Sequence, residues 1–227
     1  MAVRWDWERR RWEAGRSRVA GVDEAGRGPW AGPVFAAAVI LPPGCRLPGL
    51  DDSKRLRPKE REALYGEVVR KALAWAVAFE TPQVIDRINI LQASLRAMAS
   101  AVRRLNPQPD CLLVDGAQVI PSCARLSVEQ VPLVRGDGRS VSIAAASILA
   151  KVSRDRAMAE YDRLYPGYGF ARHKGYGTRA HREALRRLGP SPIHRVSFRP
   201  VRELLRASGH PAEPPGPALS GPRDLPI

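Results

Sequence analysis

Four carboxylates stand where apolar runs give way to glycine. Asp23 and Glu24 follow Val19–Val22 and precede Gly26-Arg27-Gly28; Asp115 ends the run Cys111–Val114 and precedes Gly116; Asp137 lies between Gly136 and Gly138, after "VEQVPLV". A carboxylate at the end of a buried strand is costly unless a cation or hydrogen bonds offset it. Strand ends lying side by side would bring these acids to one sheet edge, where mutual repulsion raises their pKa values. A hard divalent cation relieves that repulsion. Magnesium takes a few carboxylate oxygens and completes its octahedron with water and substrate phosphate. Asp23, Glu24 and Asp115 are therefore the candidate metal ligands, and with Asp137 they make the candidate catalytic set. One geometric point stays open. Neighbours in a regular strand face opposite ways, so either the segment after Glu24 bends the strand, or Glu24 contributes from the other side.

The charge of the chain points to the substrate. Its 227 residues hold 37 Lys and Arg against 23 Asp and Glu, a formal net charge of +14. Such an excess suits a polyanion, because neutralising phosphates releases condensed counterions; biased base composition or thermal adaptation would give the same count. A basic surface around an acidic metal pocket fits a phosphate substrate, where two ions assist an in-line displacement. Cys45, Cys111 and Cys123 form no CxxC pair and no zinc spacing, so neither a disulfide framework nor a structural metal site is indicated. The N-terminus has no apolar signal core, and no window approaches a membrane span. A cytoplasmic monomer without membrane attachment is expected.

The elements that must position the acids follow from the pattern. "RVAGVDEA" and "PVFAAAVIL" read as two strands of a hairpin and "LAWAVAFE" as a third, with "CLLVD" and "VEQVPLV" completing five. A helix is expected from Pro58, with Leu64, Val68 and Ala72 on one face, and another at "INILQASLRAMASAVRRL", where Leu91, Leu95, Met98, Val102 and Leu105 repeat at helical spacing. "SVSIAAASILAKVSRDRAMAEYDRLY" reads as one long helix whose Ala- and Ser-rich start permits close approach to a sheet; "PGYGFARHKGYGT" reads as a loop, and two basic helices follow near Arg179–Leu188 and Val201–Ala207. Residues 1–16 form an arginine-rich helix or arm docked by Trp5, Trp7 and Trp12; residues 17–207 form the catalytic domain; the proline-rich tail, 208–227, is expected to be disordered. The fold class is α/β, with a mixed sheet.

Five blocks, "GVDEAGRGPWAGP", "DDSKRL", "LLVDG", "SIAAASILAKVSRD" and "HKGYGT", occur in that order. Together they closely resemble the bacterial ribonuclease HII family, over roughly Arg18 to Phe198. The resemblance implies an RNase H-like fold: a central mixed five-stranded β-sheet flanked by helices, plus a C-terminal helical segment. It implies an endonuclease, dependent on Mg2+ or Mn2+, that cleaves the RNA strand of RNA–DNA hybrids. Single ribonucleotides in duplex DNA would be cut on their 5′ side, leaving 3′-hydroxyl and 5′-phosphate ends, with roles in ribonucleotide excision repair and RNA primer removal. By motif, Asp23, Glu24 and Asp115 match metal-binding acids and Asp137 the fourth acid. Asp155 is a rival for that fourth place, discounted because Arg154 and Arg156 flank it in mid-helix, where an intrahelical ion pair is the simpler reading.

Gly26, Arg27 and Gly28 match the loop that reads the ribose, and the physics agrees. Telling RNA from DNA needs polar groups on the 2′-hydroxyl, and glycine lets the backbone come close. Tyr176 matches the tyrosine that stacks on the sugar at the RNA–DNA junction; a loop tyrosine packed on the core is the plain alternative. Lys54 is a candidate phosphate contact, as are His173, Lys174 and the arginines of Arg179–Arg187, against the alternative of solvated side chains. Two other function classes compete: a non-catalytic hybrid-binding protein, which gains nothing from acids facing phosphate, and another two-metal enzyme, such as a resolvase or exonuclease, which has no need of a 2′-hydroxyl sensor.

Overall fold

A computed structural model of the chain describes residues 3–121, 123 and 128–209. From residue 210 on, the tail expected to be disordered lies outside the described residues. Five strands, β1 (Val19–Ala25), β2 (Val34–Ile40), β3 (Ala74–Glu80), β4 (Cys111–Asp115) and β5 (Glu129–Leu133), form one sheet in the order β3-β2-β1-β4-β5. β1 runs antiparallel to β2, with Val22 opposite Ala38, and parallel to β4, with Val22 beside Val114; β4 runs parallel to β5. The sheet is mixed, as the pattern predicts. β1 and β2 are almost wholly buried, hence their unbroken apolar character. Pro132, which cannot donate to a ladder, sits in the edge strand β5.

Eight α-helices accompany the sheet among the described residues: α1 (Asp6–Glu13), α2 (Pro58–Lys71), α3 (Pro82–Ile88), α4 (Ile90–Arg103), α5 (Val141–Leu164), α6 (Phe170–His173), α7 (Arg179–Leu188) and α8 (Arg199–Ser208). α2 starts where Pro58 predicts, and Glu60 in its first turn accepts from Arg57 N at 2.7 Å. α3, absent from the sequence reading, starts at a Thr81 cap, whose side chain accepts from Val84 N. α6 is a single turn inside the segment read as loop.

By its contacts the chain divides into two units. The first holds residues 1–25, 35–79 and 94–152, the second residues 26–34, 80–93 and 153–227. In the first unit, β1 and the start of α5 touch backbone to backbone. A Cβ on Gly21 would lie 2.0 Å from the Ser142 carbonyl carbon, and Ala144, Ala145 and Ala146 are fully buried. α1 belongs here too. Trp7 and Trp12 pack on the cluster of Val19, Cys111, Leu113, Leu133 and Ile143, and Arg11 pairs with Glu129 at 2.6 Å. Buried Glu8 accepts from Ser140 Oγ at 2.6 Å and Ser142 N at 2.9 Å. It thus places a carboxylate at the N-terminus of the 24-residue α5, where the helix dipole favours negative charge.

The second unit has its own apolar clusters. Ala31, Met158, Tyr161, Tyr168, Phe170, Ala184 and Ile193 form one, and Leu185, Val201 and Leu205 another. Asp86 ties down the segment before α8, accepting from Val196 N and Ser197 N at 3.1 and 3.0 Å. Among the described residues, no helix is long and apolar enough to cross a membrane, and Cys45, Cys111 and Cys123 are all free.

Candidate active site

The parallel strands β1, β4 and β5 set the acids side by side in the first unit. Val22 pairs with Val114, so Asp23 and Asp115 are the next residues along two adjacent parallel strands. Asp115 pairs with Leu133, the last residue of β5, and a 3-10 turn, Gly136–Gly138, then carries Asp137. Carboxyl ends of parallel strands are where open α/β sheets place their ligands. Asp23 and Asp137 are buried, and Glu24 and Asp115 half-buried.

β1 stays regular through Glu24 and Ala25, which pair with Ala36 and Phe35. The bend therefore begins only at Gly26, whose φ is +100°, and Asp23 and Glu24 alternate across the sheet. Their charges still interact. Burial above all, then the charges of Glu24 and Asp115, hold the Asp23 carboxyl well above the usual carboxylate range. Burial and the charge of Asp137 likewise push Asp115 up. Hydrogen bonds offset part of this: Glu24 N donates to Asp23 Oδ1 at 2.7 Å, Gly136 N to Asp115 Oδ1 at 2.6 Å, and Ser147 of α5 bonds the Asp23 carboxylate. Ser147 also meets Ser53 Oγ at 2.9 Å.

Lys54 joins the cluster from the loop before α2. Its Nζ lies 2.8 Å from Asp137 Oδ2. Partial burial opposes the ammonium charge, but the hydrogen bond and charge of Asp137, helped by Asp52 and Asp23, raise its pKa to about 12. Among the described residues, no three His, Cys, Asp or Glu side chains are gathered as a ready ligand set; the acids meet internal donors instead. Their donor chemistry nonetheless fits a hard divalent cation: the set is oxygen-only, and the mutual repulsion that raises Asp23 and Asp115 is what a cation would relieve.

In the second unit the structure brings Gly28 and Tyr176 together. A Cβ on Gly28 would lie 3.7 Å from Tyr176 Cε1, in ordinary contact with the ring, and Tyr176 is 48% exposed. Arg27 and Gly28 are exposed beside it. The loop that carries them is folded around two buried arginines that the sequence reading missed. Arg195 donates to the carbonyls of Gly26, Arg27, Pro29 and Gly32 at 2.6–2.9 Å. Arg154 donates to those of Ala31, Pro33 and Lys174 at 3.0–3.2 Å. Arg154 thus turns its donors to the loop carbonyls, while the charge of Asp155 still favours its ionised form. Burial lowers its pKa to about 10. A guanidinium has five donors in a rigid fork, and no local pattern marks an arginine that will use them inward.

His173 and Lys174 have internal partners. His173 Nε2 lies 2.7 Å from Tyr168 O, and its Nδ1 accepts from Gly175 N at 3.2 Å. Lys174 Nζ donates to Asp155 O at 3.2 Å.

Comparison with known proteins gives the family and the fold. The family model for ribonuclease HII matches residues 20–201. Ribonuclease HII of Geobacter sulfurreducens is 58% identical over 204 residues, covering 90% of this chain and 92% of that protein. The crystal structure of ribonuclease H2 from Pyrococcus horikoshii superposes with a TM-score of 0.71 at 28% identity, covering 85% of this chain and 99% of that one. Bst-RNase HIII in complex with Mn2+ shares the fold, with a TM-score of 0.67 at 20% identity, over 84% of this chain and 70% of that one. The five-stranded mixed sheet with its helices is thus the RNase H-like fold. The chain belongs to the ribonuclease HII family, divalent-metal-dependent hydrolases that cleave RNA in RNA–DNA hybrids.

Proposed function

We propose that this enzyme cuts both RNA–DNA hybrids and single ribonucleotides embedded in duplex DNA, on the 5′ side of the ribonucleotide, leaving 3′-hydroxyl and 5′-phosphate ends. Removal of misincorporated ribonucleotides and of RNA primers is the matching cellular role. The observation that carries the reading is the set of acids at the ends of β1, β4 and β5, with Asp23 and Asp115 both raised by burial and by neighbouring carboxylates.

Asp23, Glu24 and Asp115 are the groups that would hold Mg2+ or Mn2+, and Asp137 is the fourth acid. When bound, a pair of such ions supplies Lewis acidity that activates the attacking water and offsets charge on the leaving oxygen. The chain's own residues prepare that chemistry. Ser147 and Glu24 N hold the Asp23 carboxylate in place. The backbone of Gly136 and Asp137 holds the Asp115 carboxylate from the turn after β5. Lys54 restrains Asp137 and brings a positive charge that a phosphate can share.

In the second unit, the carbonyls of the Gly26–Pro33 segment turn inward onto Arg154 and Arg195. That fixes the backbone of Gly26-Arg27-Gly28, which we assign to reading the 2′-hydroxyl. Tyr176 offers an exposed ring for stacking on the neighbouring sugar. For His173 and Lys174, the internal bonds favour shaping this loop over touching substrate.

The test uses three labelled duplexes: an RNA–DNA hybrid, a DNA duplex with one ribonucleotide, and all-DNA, each with Mg2+, Mn2+ or EDTA. Cleavage of the first two, with the mapped ends stated above, is expected. Equal cutting of all-DNA would contradict the ribose-sensing role.

A further inference from the structure

Tyr176 sits between Gly175 and Gly177, and its ring is half exposed. Such a ring has no fixed aim unless its own peptide is held. The structure holds it on both sides. Tyr176 N donates to His173 O at 2.9 Å, and Tyr176 O accepts from Thr178 N at 2.8 Å. That same carbonyl lies 2.9 Å from His181 Nδ1. His181 Nε2 in turn lies 3.0 Å from His194 Nε2, and His194 Nδ1 faces Ser191 N at 2.9 Å.

With both rings neutral, only one placement of protons satisfies every contact. A backbone N–H can only donate, so His194 Nδ1 is the acceptor and its proton is on Nε2. His194 Nε2–H then donates to His181 Nε2, which leaves the His181 proton on Nδ1, facing a carbonyl that can only accept. Ser191, at one end, thereby dictates the donor that reaches Tyr176 at the other. Both histidines are fully buried. Burial, foremost, carries their pKa values down to about 4 for His181 and about 3 for His194, so both rings are neutral near pH 7.

We propose that His194 and His181 form a tautomer relay that fixes the Tyr176 carbonyl, and so are positioning residues for the stacking ring. This rests on the assignment of Tyr176 to the substrate sugar. The two amide replacements of His181 separate positioning from packing. Asparagine places its NH2 where Nδ1 stands and can still donate to Tyr176 O; glutamine places its NH2 near Nε2 and cannot. Glutamine is nearer to histidine in size, so a purely packing role predicts the opposite order of damage.

On the single-ribonucleotide duplex, His181→Asn should keep kcat within about threefold of wild type. His181→Gln should lose on the order of ten- to a hundredfold in kcat with little change in KM, the scale of a positioning error. Equal losses, or a more active Gln variant, would overturn the relay. Wild type run alongside tests the Tyr176 assignment separately: if it spares the ribonucleotide duplex, that assignment fails, and the relay is still decided by nitrogen-15 NMR. The expected spectrum of wild type shows His194 protonated at Nε2 and His181 at Nδ1. Either ring in the other tautomer would refute the relay whatever the variants do.

Discussion

Acidification should destabilise the wild-type protein more than the His181→Asn variant. The His181 ring is fully buried, stacked 4.4 Å from His173 and packed by Trp30, Phe170 and His194. Burial is the main reason that its pKa falls from 6.5 to about 4. The fold therefore favours the neutral ring. This contribution to stability is complete above the unfolded pKa of about 6.5 and is lost as pH falls from there towards 4. Between about pH 7.5 and about pH 5 the linked loss is about 2 kcal/mol for this one group. For a chain of this size, each kcal/mol moves Tm by about 2–4 °C, so the expected extra drop is about 4–8 °C. His194 adds a loss of the same sign in both proteins, while the raised carboxyl of Asp23 acts in the opposite direction in both. The difference between the two proteins thus reports His181 together with its effect on His194. Thermal melts in EDTA, followed by circular dichroism at the two pH values, supply it. An equal fall in wild type and variant would refute the buried neutral histidine.

Asp23→Asn should raise the stability of the metal-free protein near neutral pH. The folded-state pKa of Asp23 is raised by burial, Glu24 and Asp115, so its contribution to stability is lost as pH rises; the gain from the variant should shrink as pH falls towards 4, and a variant less stable than wild type in EDTA at every pH would contradict the repulsion. Gly21→Ala should lower Tm sharply, since its Cβ would sit 2.0 Å from the Ser142 backbone; overpacking of this kind costs about 3 kcal/mol or more, and an unchanged melt would disprove the close contact. Tyr176→Ala should reduce turnover on the single-ribonucleotide duplex by on the order of a hundredfold, while Tyr176→Phe, which keeps the ring, retains most of it; equal loss in both would assign the effect to the hydroxyl instead of stacking.

The strand-end acids are legible in sequence because each is local: an apolar run, a carboxylate, a glycine. Their convergence depends on β1, β4 and β5 being parallel neighbours, which a mixed sheet read from sequence leaves open and the strand pairing supplies. α4 is legible because burial of one face repeats along the chain, and α5 because its 24 residues run on without a glycine or proline, the first ten being buried on every side. What escapes is whatever depends on partners far along the chain. Arg154 looks like any mid-helix charge and Arg195 like any basic residue, yet both lie under the Gly26–Pro33 loop. His181 and His194 are thirteen positions apart, and only the fold brings their Nε2 atoms to 3.0 Å. Ser147, on Asp23, is hidden among the small residues of α5 that also serve close packing. α3 and α6 are short, at seven and four residues, and begin at Pro82 and after Gly169, residues that otherwise signal loops.

The central claim is that the carboxylates at the ends of β1, β4 and β5 hold a divalent ion that cutting requires, and that they are not needed for holding the nucleic acid. It is tested most directly by measuring, on one RNA–DNA hybrid, both binding and cleavage for wild type and Asp115→Asn, with Mg2+ or with EDTA. Cleavage should appear only for wild type with Mg2+. Binding by the variant should equal or exceed that of wild type, since a negative charge facing phosphate has been removed. Mg2+-dependent cleavage by Asp115→Asn at the wild-type rate would contradict the account.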